Sequence, residues 1–306
     1  MPAVRSALAV PITAAWAVLA MAISAMVYAQ VDGIELATPM QLWSWLEGES
    51  LDATIFWRLR LPRIVGAAVV GAGLASAGCA FQATLRNPLA EPYTLGVSAG
   101  AALAAVLAIR FGLDQSILGA SGVGIAALAG ALATVYMVWR IAAVGDRLPP
   151  ATLLLAGITV AMFCGALTMV VQYSANVSEV YRMVRWMMGG LDGVLWRPLY
   201  IATPATILGI VVLMWLARDF NALAAGADSA ASLGVSPKRV VTIAFATRAL
   251  LVGAGFAFAG PIGFVGLIVQ HIMRSLVGAD HWRLLPVSAL PGGGALVLCD
   301  LLALTV

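Results

Sequence analysis

The sequence predicts an all-α, polytopic membrane helical bundle, and three observations lead there. The 306-residue chain is 62% hydrophobic and only 10% charged, with a mean hydropathy of +0.99. A soluble domain of this length needs far more charge to cover its surface. Apolar windows recur along the whole chain at close to the ~20 residues that one helical span requires. The short alternating segments of a transmembrane barrel are not seen, and a helix satisfies its own backbone in lipid.

The windows fall near residues 7–28, 62–83, 93–109, 116–141, 150–173, 198–217, 239–260, 262–277 and 285–306, which makes nine predicted spans in one integrated domain over 1–306. The first follows Arg5. Val27-Tyr28-Ala29 has the shape of a leader-cleavage site, but the run is long for a signal core and reads as a span. The second stops at Asn87-Pro88 and again at Glu91-Pro92. The residue before each proline is pushed out of helical geometry, so the pattern is helix, polar elbow, helix. The 262–277 window is short and needs its neighbours. The last ends at Leu304-Thr305-Val306 without a flanking charge or aromatic anchor. Small residues at four-residue spacing, such as Ala68/Ala72/Ser76 and Gly157/Ala161/Gly165, let helices approach closely.

Net charge is +3, and the arginines gather at span ends. With the N-terminus in the cytoplasm, Arg86, Arg140, Arg147, Arg218, Lys238, Arg239, Arg274 and Arg283 lie at inner ends. Arg58, Arg60, Arg63, Arg110, Arg182, Arg185 and Arg197 lie at outer ends. The bias is weak but in the expected direction. A single lysine and no basic stripe exclude a nucleic-acid partner. Cys79, Cys164 and Cys299 are isolated, without metal-ligand spacing, and read as small buried residues. No glycine-rich phosphate loop ending in Lys-Ser/Thr is present, so any ATP chemistry belongs to another subunit.

Gly96-Val97-Ser98-Ala99-Gly100 fits the nucleophile pattern GxSxG, but no strand precedes it. An intramembrane serine protease using Ser98 and His271 is the remote alternative. An ion-coupled secondary transporter is the nearer one. It needs ionisable groups at mid-membrane, and here Glu91 falls in a loop, Asp300 near a span end, and Arg248 stands alone within a span. The longest inner interruption, 218–239, reads as two short surface helices. Asp228 with Ser229 can cap one, Gly234 can end it, and Pro237 stops it. The outer segment 174–197 is amphipathic, with Tyr181, Val184, Arg185 and Met188 at helical spacing and Trp186 and Trp196 as interfacial anchors. The rigid Pro149-Pro150 and polar Thr152 mark a possible constriction.

Seven segments carry a resemblance, in order: RLPR (60–63), NPLAEP (87–92), LGVSAGA (95–101), LLLAGI (153–158), WMMGGL (186–191), ADSAASLGV (227–235) and GPIGFVGLIV (260–269). Together they resemble the permease subunits of type II ABC importers for vitamin B12, ferric siderophores and haem. The resemblance implies a ten-span permease fold whose tenth span is absent from this chain, on a multi-pass protein of the bacterial inner membrane. It implies a homodimer around a central path, two cytoplasmic ATP-binding subunits, and a periplasmic or lipid-anchored substrate-binding protein. It implies no cofactor, metal or catalytic residue on this chain, with ATP and Mg held by the partner ATPase. By the same resemblance Ala227, Asp228, Ser229, Leu233, Gly234 and Val235 couple to the ATPase. Arg60 and Arg63 dock the binding protein. Pro150, Ala151 and Thr152 narrow the pore, and Tyr181, Arg185 and Met188 stand at its mouth. Gln270 and Leu304 depart from the family pattern, which has Pro and Arg there. The scarcity of paired His, Cys or carboxylate ligands suits a bulky chelate rather than a bare metal ion; cobalamin, haem and a ferric siderophore all remain open.

Overall fold

The computed structural model describes residues 11–21, 51–87, 91, 96–113, 116–117, 120–143 and 148–305. Helix α1 covers Pro11–Met21. Helix α2 (Leu51–Ile55) runs through a π-helical turn, Phe56–Arg60, into α3 (Leu61–Leu85). Then come α4 (Val97–Arg110), α5 (Gly122–Ala142), α6 (Pro150–Tyr173), the short α7 (Val177–Met187) and α8 (Trp196–Trp215). Two short helices follow, α9 (Ala217–Ala224) and α10 (Ala227–Ser232). The chain ends with α11 (Pro237–Ala259), α12 (Val265–Val277) and α13 (His281–Thr305).

Six of these helices are long and apolar enough to cross a membrane, and α1, α4 and α12 are shorter apolar helices. Three expected boundaries move. The window at 116–141 starts late, at Gly122, because Ser121 caps α5 by accepting from the Gly124 N–H at 2.9 Å. A two-residue antiparallel ribbon, Ser116–Ile117 with Ala120–Ser121, precedes it. The window at 285–306 starts early, at His281, and α13 absorbs Pro286 and Pro291 within its length. The window at 262–277 yields a helix only from Val265, since 260–263 is not helical.

Helix α3 forms the centre, with 78% of its most apolar stretch buried. It packs antiparallel to α13 at near backbone contact. A Cβ added at Gly71 would lie 2.2 Å from the Gly292 carbonyl oxygen, and one at Gly293 2.8 Å from that of Ala68. Small residues here replace side-chain interdigitation with direct backbone approach. Arg63 meets Asp300 at one end of the pair, and His281 marks the other. The two levels are ~28 Å apart at 1.5 Å per helical residue. They are called below the Arg63 end and the His281 end.

The architecture contains one motif twice. Val70–Gly78 reads VGAGLASAG and Val252–Gly260 reads VGAGFAFAG, identical but for two positions. After the second repeat α11 ends and residues 260–263 are not helical, whereas α3 continues past its repeat to Leu85. A residue with positive φ (Gly96 at 77°, Phe264 at 66°) then opens a short helix beginning with valine. Helix α3 runs away from the Arg63 end and α11 runs toward it, so the two copies are inverted, an arrangement that recurs in membrane transporters. Both short helices begin at depth. Gly78 touches Gly266, which sets the start of α12 ~22 Å below Arg63. Gly96 lies against Gly157 and Thr134, well inside α6 and α5.

Candidate functional site

At the Arg63 end, α7 lies across the bundle. Asn176 and Glu179 form a reciprocal capping box at its start, and Glu179 also pairs with Arg110 of α4 at 3.4 Å. Met183 is its buried anchor. The opposite face presents Tyr181, Arg185 and Met188, together with Phe258 and Gly260, to a cavity of about 590 Å³. Met188 also lines a second cavity, about 300 Å³, that reaches Pro261, Leu296 and Asp300. The three residues expected at a pore mouth therefore share one cavity. Behind Met188 the chain turns tightly: the Gly190 N–H donates to the Ala259 carbonyl at 2.8 Å.

Arg60 and Arg63 do not present two open cations. Arg60 is buried, only 6% exposed, in the π-helical turn. That turn is itself pinned by Trp196, whose Nε1–H donates to the Trp57 carbonyl at 2.8 Å. Arg63 makes a bidentate pair with Asp300: Nε and Nη2 each lie 2.8 Å from a carboxylate oxygen. Its remaining edge, Nη1, meets Asp192 at 2.8 Å. Asp192 also faces Arg185 at 3.7 Å, and the Arg185 side chain is 63% exposed.

At the His281 end, α9 and α10 form the two short helices expected there. The expected cap is corrected. Gly226 at φ 131°, not Asp228 with Ser229, is the N-cap of α10, and no side chain caps that helix. Asp228 sits in the first turn, where a carboxylate still meets the positive end of the helix. Gly234 does end the segment. At φ 81° it closes a Schellman motif in which its own N–H donates to Ala231 and the Val235 N–H to Ala230. Ala230 is buried as the anchor, while Ala227, Asp228, Ser229, Leu233 and Gly234 face outward and Val235 is half-buried. A cavity of about 210 Å³ lies beside them, lined by Trp215, Asp219, Gly234, Val235 and Arg239.

Helix α9 is bound to the start of α13. The Asn221 amide donates to Asp280 at 2.7 Å, and its oxygen accepts from the His281 N–H at 2.9 Å. Phe220 packs edge-on against the His281 ring. The predicted constriction residues lie apart from the cavity at the Arg63 end. Pro150 opens α6 with Pro149 as its cap, Ala151 is exposed and Thr152 half-buried.

Between the two ends lie the buried polar groups. Arg248 is 1% exposed and sits between the Phe81 and Phe245 rings, 4.1 and 4.4 Å from their centres. It donates to the Ala244 carbonyl at 2.7 Å and to Thr84 Oγ1 at 2.8 Å. Cation–π contact and two hydrogen bonds hold this charge; among the described residues no carboxylate pairs with it. An ion-coupling pair is thus not assembled there. Ser98 Oγ is buried without a hydrogen-bond partner. His271 is therefore not its base, and the serine-protease alternative fails on geometry.

Sequence reasoning missed two features here. Glu91 is not a free loop residue: it is 7% exposed and accepts from the Phe264 N–H at the deep start of α12. Gln270 is fully buried against Gln82, with its oxygen positioned to accept from Arg274 Nη2 at 3.1 Å. The repeated VGAG-A-AG string was the available signal for the first. It marks two matching helical stretches, each followed further on by a short helix that opens with valine.

The FecCD transport family model matches residues 12–306. The chain is 42% identical over 270 residues to the cobalamin import system permease protein BtuC of Halobacterium salinarum, covering 88% of this chain and 71% of that one. It is 38% identical over 265 residues to the vitamin B12 import system permease protein BtuC of Escherichia coli, covering 85% and 77%. A solved inward-facing structure of a metal-chelate type ABC transporter superposes with a TM-score of 0.82 at 29% identity, over 96% of this chain and 90% of that one. The chain belongs to the FecCD transport family.

Proposed function

We propose that this member of the FecCD transport family is the permease subunit of an ABC importer for a corrinoid of the cobalamin class. The observation that carries the reading is the end-to-end match: family, relatives and solved neighbour all extend over both ends of the bundle, not only over its core. In this reading the Arg63 end faces outward and receives cargo from a substrate-binding protein. The His281 end faces the cytoplasm and meets two ATP-binding subunits, which hold ATP and Mg. Two copies of the chain enclose the path in the inner membrane.

The proposal assigns the exposed surface of α10 and its Schellman turn to the ATPase. The turn is rigid, its anchor Ala230 is buried, and Leu233 stands 72% exposed on it. Such an apolar side chain, presented on a fixed turn beside a cavity, is a good anchor for a partner pocket. Leu233→Glu should abolish co-purification with the ATPase and uncouple ATP hydrolysis from transport, while the melting temperature stays within a few degrees. Retained ATPase binding and transport in that variant contradict the assignment.

A further inference from the structure

We infer that Arg63 and Arg185 form a two-arginine carboxylate site, that Asp192 is its internal occupant, and that a partner's Asp or Glu takes that place during docking. The inference rests on the reading that the Arg63 end receives an acidic binding protein. It replaces buried Arg60 with Arg185 as the second docking cation.

Three asymmetries support it. The Arg63 guanidinium uses two donor edges on Asp300, whose side chain is 8% exposed, and one on Asp192, which is 60% exposed. A bidentate pair out of water is fixed, while a single contact on a solvated carboxylate exchanges readily. The two oxygens of Asp192 are divided between the two arginines, Oδ1 to Arg63 at 2.8 Å and Oδ2 to Arg185 at 3.7 Å. This is how a carboxylate ligand sits between two cations. Finally, the Asp192 side chain stands at the surface of a tight glycine turn, while Arg63 is fixed on α3, the most buried of the six long apolar helices.

Exchange would also be felt inside. The same loop is bonded from Gly190 to Ala259, one residue before the Gly260-Pro261 break that leads to α12. A partner carboxylate that takes Arg63 releases Asp192, and with it the segment that ties α7 to that break. The docking surface and the broken helix thus share one loop.

The test measures binding of the system's substrate-binding protein to the full chain with its ATPase in nanodiscs, at low and high salt. Removing an internal competitor must strengthen the external ligand. Asp192→Asn should tighten binding by about three- to fivefold, the range set by a partly exposed ion pair. Arg185→Gln should weaken it by a similar factor and erase the gain in the double variant. Both residues are exposed, so folding is not at stake. Hydrogen exchange in 188–195 should rise in Asp192→Asn by about the same three- to fivefold and stay unchanged in α13. If Asp192→Asn binds no tighter than wild type while Arg185→Gln still weakens binding, the internal-occupant inference is overturned and the docking reading stands. If wild-type binding ignores salt and Arg185→Gln leaves it unchanged, the docking reading falls and takes the inference with it.

Discussion

Helices α3 and α6 are equally greasy and live in opposite surroundings. The span that contains α3 has a mean hydropathy of 1.9 with 78% of that window buried in protein, whereas α6 scores 2.3 with only 28% buried. Hydropathy therefore says that both sit in a membrane and nothing about which one is central. Side-chain size decides that. Helix α3 turns Gly71 and Gly78 onto the backbones of α13 and α12. Helix α6 turns Leu155, Met162, Phe163 and Met169 outward, each at least 60% exposed. In lipid no hydrophobic force drives two helices together, so close backbone packing must supply the association. Large apolar side chains on α6 are equally content against acyl chains or a second copy of the subunit.

The sharpest way to break this contrast is to place bulk at matched glycines. Gly71→Leu puts its Cβ where the Gly292 carbonyl already stands, and a Cβ at Gly165 on α6 meets nothing within 4 Å. Overpacking a tight site costs about 1–3 kcal/mol and sometimes more. Gly71→Leu should therefore lose most of its monodisperse peak in fluorescence-detected size exclusion, and Gly165→Leu should melt like wild type. Comparable losses in both would mean that α3 and α6 are not packed differently.

The next effect concerns polar groups, which α3 buries and α6 mostly does not. Thr84→Val removes the oxygen that accepts from Arg248 Nη1 at 2.8 Å, leaving a buried donor unmet at a cost of about 1–3 kcal/mol. Its thermal midpoint should fall clearly below that of Thr159→Val on α6, where the hydroxyl only bonds back to Leu155. A smaller effect is expected at the rim. Asn176→Ala removes the cap of α7 at about 1 kcal/mol. It should raise hydrogen exchange across 177–187 and reduce transport, with the global melt unmoved. Smallest of all is Met162→Ala, expected within about 0.5 kcal/mol in detergent. A large loss there, in dimeric but not monomeric fractions, would mark α6 as a subunit contact.

Much of this was legible in the sequence, and the misses share a cause. Composition and window length gave the all-helical membrane class, and the Gly234–Pro237 punctuation gave the two short helices. The resemblance carried by NPLAEP, LGVSAGA and GPIGFVGLIV gave the family. What periodicity could not give was depth. The starts of α4 and α12 lie inside the bundle, and the non-helical residues 260–263 before α12 leave no apolar period to read. Glu91 is non-helical, as expected, but it is buried and accepts from the Phe264 N–H beside the start of α12. Arg63 looked like an open rim cation because its partners, Asp192 and Asp300, are far away in sequence. Charge on a span end is visible from one strand of sequence; its neutralisation is not.

In the proposed function this bundle moves its cargo under ATP control through a partner ATPase. Its most direct test is uptake of radiolabelled cyanocobalamin into proteoliposomes that contain this chain with its ATPase, with the binding protein and cargo supplied on the side of the Arg63 end. The account predicts accumulation that requires ATP and the binding protein, is lost in Leu233→Glu, and is indifferent to proton and sodium gradients. Accumulation without ATP, driven by an imposed ion gradient, would contradict it.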